Sequence, residues 1–299
     1  MADARLSAGQ GRGGGRMAEA WEISGGEGDV HLRSGQAELH YHAQHRLPYF
    51  HPVRTPAGRL VSLAVPQDHP WHVGLYFAWR FVNGVNCWEP GVGGAAAGPV
   101  RVESDPGGTV VLRQGLLWGA PGAEPLREER QVVVHPPAPA GDGYLLDWTG
   151  VFLADGPVTL ACTPPPSEVS WGGYAGLSLR LPRSFYNARV RDAAGRESAE
   201  RVHGQPGAWC DCTGKADGEP DGVCGAALIE HPSNPRHPSP SFALTAGTLQ
   251  FIQRAFLWSG PLLLGAGDSF CLRYRVWLHD GEPDPAEIAA EAARFAAVP

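Results

Sequence analysis

Five of the twelve histidines fall in two proline-stiffened regions of the chain. The first reads His51-Pro-Val-Arg-Thr-Pro-Ala-Gly58, resumes at Pro66-Gln-Asp68-His69-Pro-Trp71-His72-Val-Gly74 and closes with Asn83-Gly-Val-Asn86-Cys-Trp88-Glu89. The second is Glu230-His231-Pro-Ser-Asn234-Pro-Arg236-His237-Pro238. Proline fixes its own φ and restricts the residue before it, so such loops hold side chains in set directions. Imidazoles titrate near neutrality and suit general acid and base work. The pattern predicts one cavity lined by both regions, with His72 and His237 as the acid/base pair and Asp68 and Glu89 orienting an imidazole or accepting a proton. His51, His69, His231 and Asn234 would position a substrate, and Arg183 and Arg236 would bind its oxygens. Trp79, Trp88 and Tyr174 would stack on a sugar face. Gly74 would let a strand start beside the ligand.

This reading is a carbohydrate-active enzyme of epimerase, isomerase or lyase type, using no cofactor. Two alternatives use the same residues. A metal-dependent oxygenase or hydrolase would gather His69, His72 and His237 with Glu89 or Glu230 around a divalent ion. A non-catalytic sugar-binding sandwich would use the loops for recognition only. The six cysteines read as small core residues, with a zinc cluster of Cys210, Cys212 and Cys224 as the lesser alternative. Lys215, the one lysine, sits in a polar loop.

The elements that hold these loops are strands. Gly and Pro make up nearly a quarter of the 299 residues, against about 12% in ordinary domains. Short alternating or β-branched runs recur throughout, among them Glu38–His42, Leu60–Val65, Gly74–Phe81, Glu128–His135, Tyr144–Leu153, Gly176–Leu181, Gly225–His231 and Leu249–Phe256. In the last run Phe270, Leu272, Tyr274, Val276 and Leu278 share one face and Arg273, Arg275 and His279 the other. One helix is expected, in DPAEIAAEAARF, with Asp284 as cap and Pro285 at its first position. The expectation is an all-β chain: a large antiparallel β-sandwich over 21–299 with a short C-terminal helix. Residues 1–20 read as a disordered Gly-rich tail, with Met17 an alternative start. A net charge of −7 argues against nucleic-acid and anionic-membrane surfaces. No uncharged apolar run approaches the roughly 18 residues of a spanning helix. A cytoplasmic monomer or homodimer is expected.

The stretches HPVRTPAG, DHPWHVGLYFAW, VNGVNCWE, GLSLRLPRSF, AWCDCTG, GAALIEHPSNPRHP and LLLGAGDSFCLRYRVWLHDG together resemble an uncharacterised bacterial family labelled PmoA-like, over about residues 45–282. The label comes from a membrane subunit of particulate methane monooxygenase, and that membrane character does not carry over. The resemblance implies a β-sandwich similar to galactose mutarotases, a small carbohydrate as ligand, and an NAD-dependent sugar dehydrogenase as pathway partner. Three positions depart from the family pattern. Trp71 stands where the family has the middle His of D-H-P-H-H, Ser241 where it has an aromatic, and Cys210 and Cys212 where it has Val and Tyr.

Overall fold

Side chains alternate between two faces along nearly every strand, and this alternation stacks two antiparallel sheets. The computed structural model describes residues 20–138, 142–219 and 221–299, so the expected tail lies, Ala20 apart, outside the described residues. One sheet has eight strands in the order Glu22–Gly26, Asp29–Ser34, Ala37–His42, Tyr49–Arg54, Leu75–Ala78, Gly176–Arg180, Leu249–Arg254 and Ser241–Ala246. The nine-stranded sheet runs Arg189–Asp192, Trp209–Lys215, Val223–Glu230, Ser269–Asp280, Gly143–Ala154, Ala123–Val134, Val110–Ala120 and Gly94–Ala97, and Arg101–Ser104 also pairs with Val110–Ala120. A small sheet joins Leu262–Leu264, Val158–Ala161, Phe81–Val82 and Val85–Asn86.

The inward faces of the two large sheets meet in one hydrophobic cluster. Phe50 packs edge-on against Trp148 of the opposite sheet, and the Tyr41 hydroxyl crosses to Gln114 at 2.6 Å. Ser269–Asp280 behaves as its alternation predicts: Leu272, Tyr274, Val276 and Leu278 are buried in this core. Its other face is also covered. The helix Pro285–Ala296 lays Ile288 and Phe295 against Trp209, Ala227 and Ile229, while Arg275 pairs with Asp147 and Glu291. Asp284 caps this helix by accepting from the Ala286 amide, and Glu287 accepts from the Asp284 amide.

Two local readings are corrected. Leu60–Val65 forms only isolated bridges, Arg54 with Leu60 and Ala64 with Val73. Val65 at φ 52°, followed by Pro66, breaks the extended backbone a strand needs. Gly94–Ala97 is a strand although Gly-rich sequence flanks it, because Leu116–Gly119 supplies its pairing partner. Tyr49–Arg54, which overlaps the start of the first histidine region, is likewise a strand that places Phe50 in the core. No helix among the described residues is long and apolar enough to cross a membrane.

Candidate functional site

Leu75–Ala78 sends Phe77 into the inter-sheet core against Trp118 and Phe152. Tyr76 therefore points to the outer face of the eight-stranded sheet, where it meets Trp88 at 5.3 Å between ring centroids. Phe251 from Leu249–Arg254, and Phe242 and Leu244 from Ser241–Ala246, floor the same face. Three connections wall it: 66–74 with His69, Trp71 and His72; the ends of the 81–86 hairpin with Arg80, Trp88 and Glu89; and 170–174 with Ser170, Trp171 and Tyr174. They enclose a cavity of about 350 Å³. That volume lies at the lower end of the roughly 300–1,000 Å³ typical of small-molecule sites.

The 66–74 loop is held by its own backbone. The Val65 amide donates to His72 O at 2.8 Å and the His72 amide to His69 O at 2.9 Å. Gly74 sits at φ +81°, and a Cβ there would lie 2.3 Å from Phe50 O. Its glycine thus answers a backbone crossing, not a ligand, which corrects the expectation above. The imidazoles of His69 and His72 stack at 4.9 Å, and His72 stacks on Phe251 at 5.0 Å.

The two histidines differ in their electrostatics. Asp68 Oδ2 meets His69 Nδ1 at 2.8 Å and Arg180 at 3.3 Å, and its Oδ1 meets Arg183 at 3.2 Å. Burial disfavours the Asp68 carboxylate, but the His69 hydrogen bond and the Arg180 charge outweigh it and hold its pKa at about 2. An ionised Asp68 thus fixes the His69 ring and leaves Nε2 for the cavity. His72 is buried, and burial, reinforced by Arg180 and His69, drives its pKa well below the usual imidazole value. It is a neutral imidazole whose buried Nδ1 has no protein partner. Across the cavity the Tyr174 hydroxyl donates to Glu89 Oε1 at 2.9 Å, and Arg80 Nη2 lies 3.0 Å from Glu89 Oε2. Burial pushes the Tyr174 hydroxyl upward, so it stays a donor. Arg80 Nε and Nη1 are buried without a partner.

The two histidine regions do not meet in this cavity. Of the predicted residues, His69, His72, Trp88, Glu89 and Tyr174 line it. Asp68 and Arg183 stand behind His69 and do not line it. Trp79 is fully buried among Phe77, Phe152, Phe256 and Phe270, a core residue. His51 faces Ser62 Oγ at 2.8 Å.

The second region is a structural knot. Glu230 is buried, accepts from Ser239 N and Oγ at 2.7 and 2.8 Å, and pairs with Arg254 at 3.1 Å. His237 lies 3.8 Å from Glu230. His231 approaches Ser233 Oγ at 2.6 Å and Val298 O at 3.2 Å, and its ring meets Phe295 of the C-terminal helix. The Asn234 side chain brackets the Arg273 backbone at 2.7 and 2.9 Å. Arg236 donates to Gly260 O and Pro261 O at 2.6 and 2.7 Å. Stiffness here serves to join strands and helix, which local sequence cannot tell from stiffness at a site.

It follows that the ligand set of His69, His72 and His237 with Glu89 or Glu230 is not assembled. Cys210, Cys212 and Cys224 form no metal-holding group among the described residues; burial pushes the Cys210 and Cys224 thiols up to about 12. Ser241 does not line the cavity: its buried hydroxyl accepts from Arg254 at 2.6 Å. Trp71 does line the cavity, placing an indole where the resembled family has an imidazole.

Sequence reasoning missed Arg80, Ser170, Trp171, Phe242, Leu244, Leu249 and Phe251. Only Trp171 carried a signal, a lone indole in a Pro/Gly/Ser loop that is 53% exposed. The strand residues alternate like any others and show no sign of which face is hollow.

Buried neutral histidines make stability fall in acid. His51 is lowered to about 4, by burial and then by His42 and Arg54, and His72 is also held well below the usual imidazole value, chiefly by burial. An unfolded chain protonates both near pH 6.5, whereas the folded chain does not. The unfolded state therefore binds more protons, and stability drops as pH falls below about 6.5. For the buried His72 this amounts to at most about 1.4 kcal/mol per pH unit. Urea midpoints at pH 7.5, 6.5 and 5.5 should decline through this window; equal midpoints would show that these imidazoles are accessible to protons.

A family model described as a family of unknown function (DUF6807) matches residues 30–293. No curated protein matches the chain significantly. Among solved structures, a Klebsiella pneumoniae protein provisionally described as an aldose 1-epimerase aligns over 94% of this chain and 89% of its own, at 12% identity and a TM-score of 0.48. A kojibiose phosphorylase, also provisionally described, from the human microbiome aligns over 94% of this chain at 10% identity and a TM-score of 0.37. A polysaccharide lyase aligns over 96% at 14% identity and a TM-score of 0.33. The chain spans about a third of the length of the latter two, 33% and 35%.

Proposed function

We propose, for a chain that belongs to the DUF6807 family of unknown function, that the outer-face cavity binds a small carbohydrate and acts on it by acid/base chemistry of epimerase, isomerase or lyase type. One observation carries this: six aromatic rings, Trp71, Trp88, Trp171, Tyr174, Phe242 and Phe251, surround two imidazoles, a carboxylate and a guanidinium in one cavity. Apolar C–H faces of a sugar pack on aromatic rings, and its hydroxyls need paired donors and acceptors at the rim. Arg80 Nε and Nη1 and His72 Nδ1 have unused hydrogen-bonding capacity.

The roles differ from those expected. His69, oriented by ionised Asp68, is the imidazole that exchanges a proton with substrate through Nε2. His72, neutral and stacked, hydrogen-bonds a hydroxyl and walls the site. Glu89, held between Tyr174 and Arg80, accepts from a hydroxyl on the far side, and Arg80 binds a developing oxyanion. His237 falls outside this scheme. The PmoA-like resemblance and the sugar-dehydrogenase partner it implies are compatible with such a substrate.

Binding is tested apart from chemistry at Trp171. This half-exposed rim indole can be removed without opening the core, so Trp171→Ala should melt within a degree or two of the parent. Saturation-transfer NMR against a panel of monosaccharides, uronic acids and keto-sugars should find ligands for the parent. Their affinity should fall about tenfold or more in the variant, since losing one stacking platform costs on the order of 1–2 kcal/mol. A panel with no ligand, or unchanged affinity in Trp171→Ala, would remove this cavity as a sugar site.

A further inference from the structure

Asp29, His40 and His42 form a second polar cluster, on the same outer face of the eight-stranded sheet but away from the cavity. Asp29 stands directly opposite His42 in the pairing of Asp29–Ser34 with Ala37–His42. His40 shares the face of His42 because Leu39 and Tyr41 turn into the core. The metal-capable donor atoms of these three residues lie within 4.8 Å of one another. Among the described residues no other such group of three occurs.

The hydrogen bonds around His42 leave a specific mismatch. A neutral imidazole has one N–H. His42 Nε2 lies 2.8 Å from His51 O, a carbonyl that can only accept, so the proton sits on Nε2. His42 Nδ1 therefore presents a lone pair, and it faces Asp29 Oδ1 at 3.4 Å. Two acceptors face each other, an arrangement that a cation between them resolves. Donors at about 2.0–2.1 Å from a tetrahedral ion stand roughly 3.3 Å apart, which is the spacing seen here. The other Asp29 oxygen meets His40 Nε2 at 2.7 Å and supplies the third ligand within reach. Without the ion that contact places the His40 proton on Nε2; on binding, the ion replaces this proton and His40 keeps a single proton on Nδ1.

The rings are already positioned. His42 stacks on Tyr49 at 4.5 Å and lies 4.2 Å from His40. The His42 bond to a backbone carbonyl is the outer-shell contact that orients metal-bound histidines. Asp29 is 56% exposed, which leaves open positions for water. We infer that Asp29, His40 and His42 bind a divalent transition-metal ion, with Zn²⁺ the best fit to two imidazoles and a carboxylate. The ion ties two neighbouring strands of the eight-stranded sheet, with His51 O holding His42 in place. This site is independent of the sugar reading.

The test uses tag-free full-length protein, stripped with chelator and dialysed. It is titrated with Zn²⁺ by calorimetry and with Co²⁺ followed in the visible spectrum. A single equivalent should bind, and Zn²⁺ should raise the melting temperature. Asp29→Asn, isosteric and exposed, and His42→Gln should each weaken binding about tenfold or more. His31→Gln, whose ring pairs with Glu38, and His69→Asn should leave affinity unchanged. The proposal fails if about a hundredfold excess of Zn²⁺ gives no binding and no thermal shift. That outcome would mean that a proton on His42 bridges the pair. It also fails if Asp29→Asn binds as well as the parent, or if His69→Asn abolishes binding.

Discussion

His69→Asn is expected to lower turnover about 10²–10⁴-fold, the usual worth of general acid–base catalysis, while the protein stays folded. Asparagine keeps a hydrogen bond toward Asp68 but cannot exchange a proton. Turnover would be measured on the sugars that bind the parent, normalised to folded protein. Asp68→Asn is the positioning control. It removes the charge that orients the ring, so it should shift the acid limb of the pH–rate profile and reduce kcat by less than the loss of His69 itself. His72→Asn should raise KM more than it lowers kcat, because a buried neutral imidazole binds without carrying a proton. Turnover of His69→Asn within a few-fold of the parent would strip His69 of its role and leave a binding site only.

The second large effect is on stability. Arg130 and Glu128 are almost wholly buried between the sheets and form two parallel bonds, Nε to Oε1 at 2.7 Å and Nη2 to Oε2 at 2.9 Å. Trp118 Nε1 donates to the same carboxylate at 2.7 Å. Arg130 Nη1 reaches the Tyr41 hydroxyl of the facing sheet at 3.4 Å and, just before Tyr49–Arg54, Pro48 O at 3.3 Å. Arg130→Met leaves a buried carboxylate with the indole as its remaining partner. Removing one member of a buried pair costs about 3–5 kcal/mol. At roughly 2–4 °C per kcal/mol, the melting temperature should fall by about 6–20 °C. Adding Glu128→Leu to Arg130→Met should recover most of the loss, since the penalty lies in the orphaned charge. A single variant that melts with the parent, or a double variant no better than the single, would show that water reaches the pair.

These outcomes separate what was legible in the chain from what was not. Strand content, the face assignment of Ser269–Asp280 and the capped helix Pro285–Ala296 depend on pleat and on contacts two to four residues apart, so composition and alternation were enough to read them. The same local rules picked out His69, His72, Trp88, Glu89 and Tyr174, residues whose loops are stiffened near in sequence.

Where local pattern gave the wrong answer, a distant partner decided. Leu126, Glu128, Arg130 and Val132 share one strand face, and alternation alone cannot say that two charges there point inward; Tyr41, Pro48 and Trp118 make that tolerable. Phe242 and Phe251 look like any strand aromatics until the 66–74 and 170–174 connections roof the face they occupy. The 230–238 region carried as many chemical signals as the 66–74 loop, yet Glu230, His231 and Asn234 are taken up by Arg254, Arg273 and the C-terminal helix, and Arg236 by two loop carbonyls. Asp29 opposite His42 is a matter of register between strands. Backbone dihedrals and side-chain periodicity are local properties and follow from the residues themselves. Which polar groups are left unpartnered around a hollow depends on contacts between residues up to more than a hundred positions apart, and those exist only once the sheets have paired.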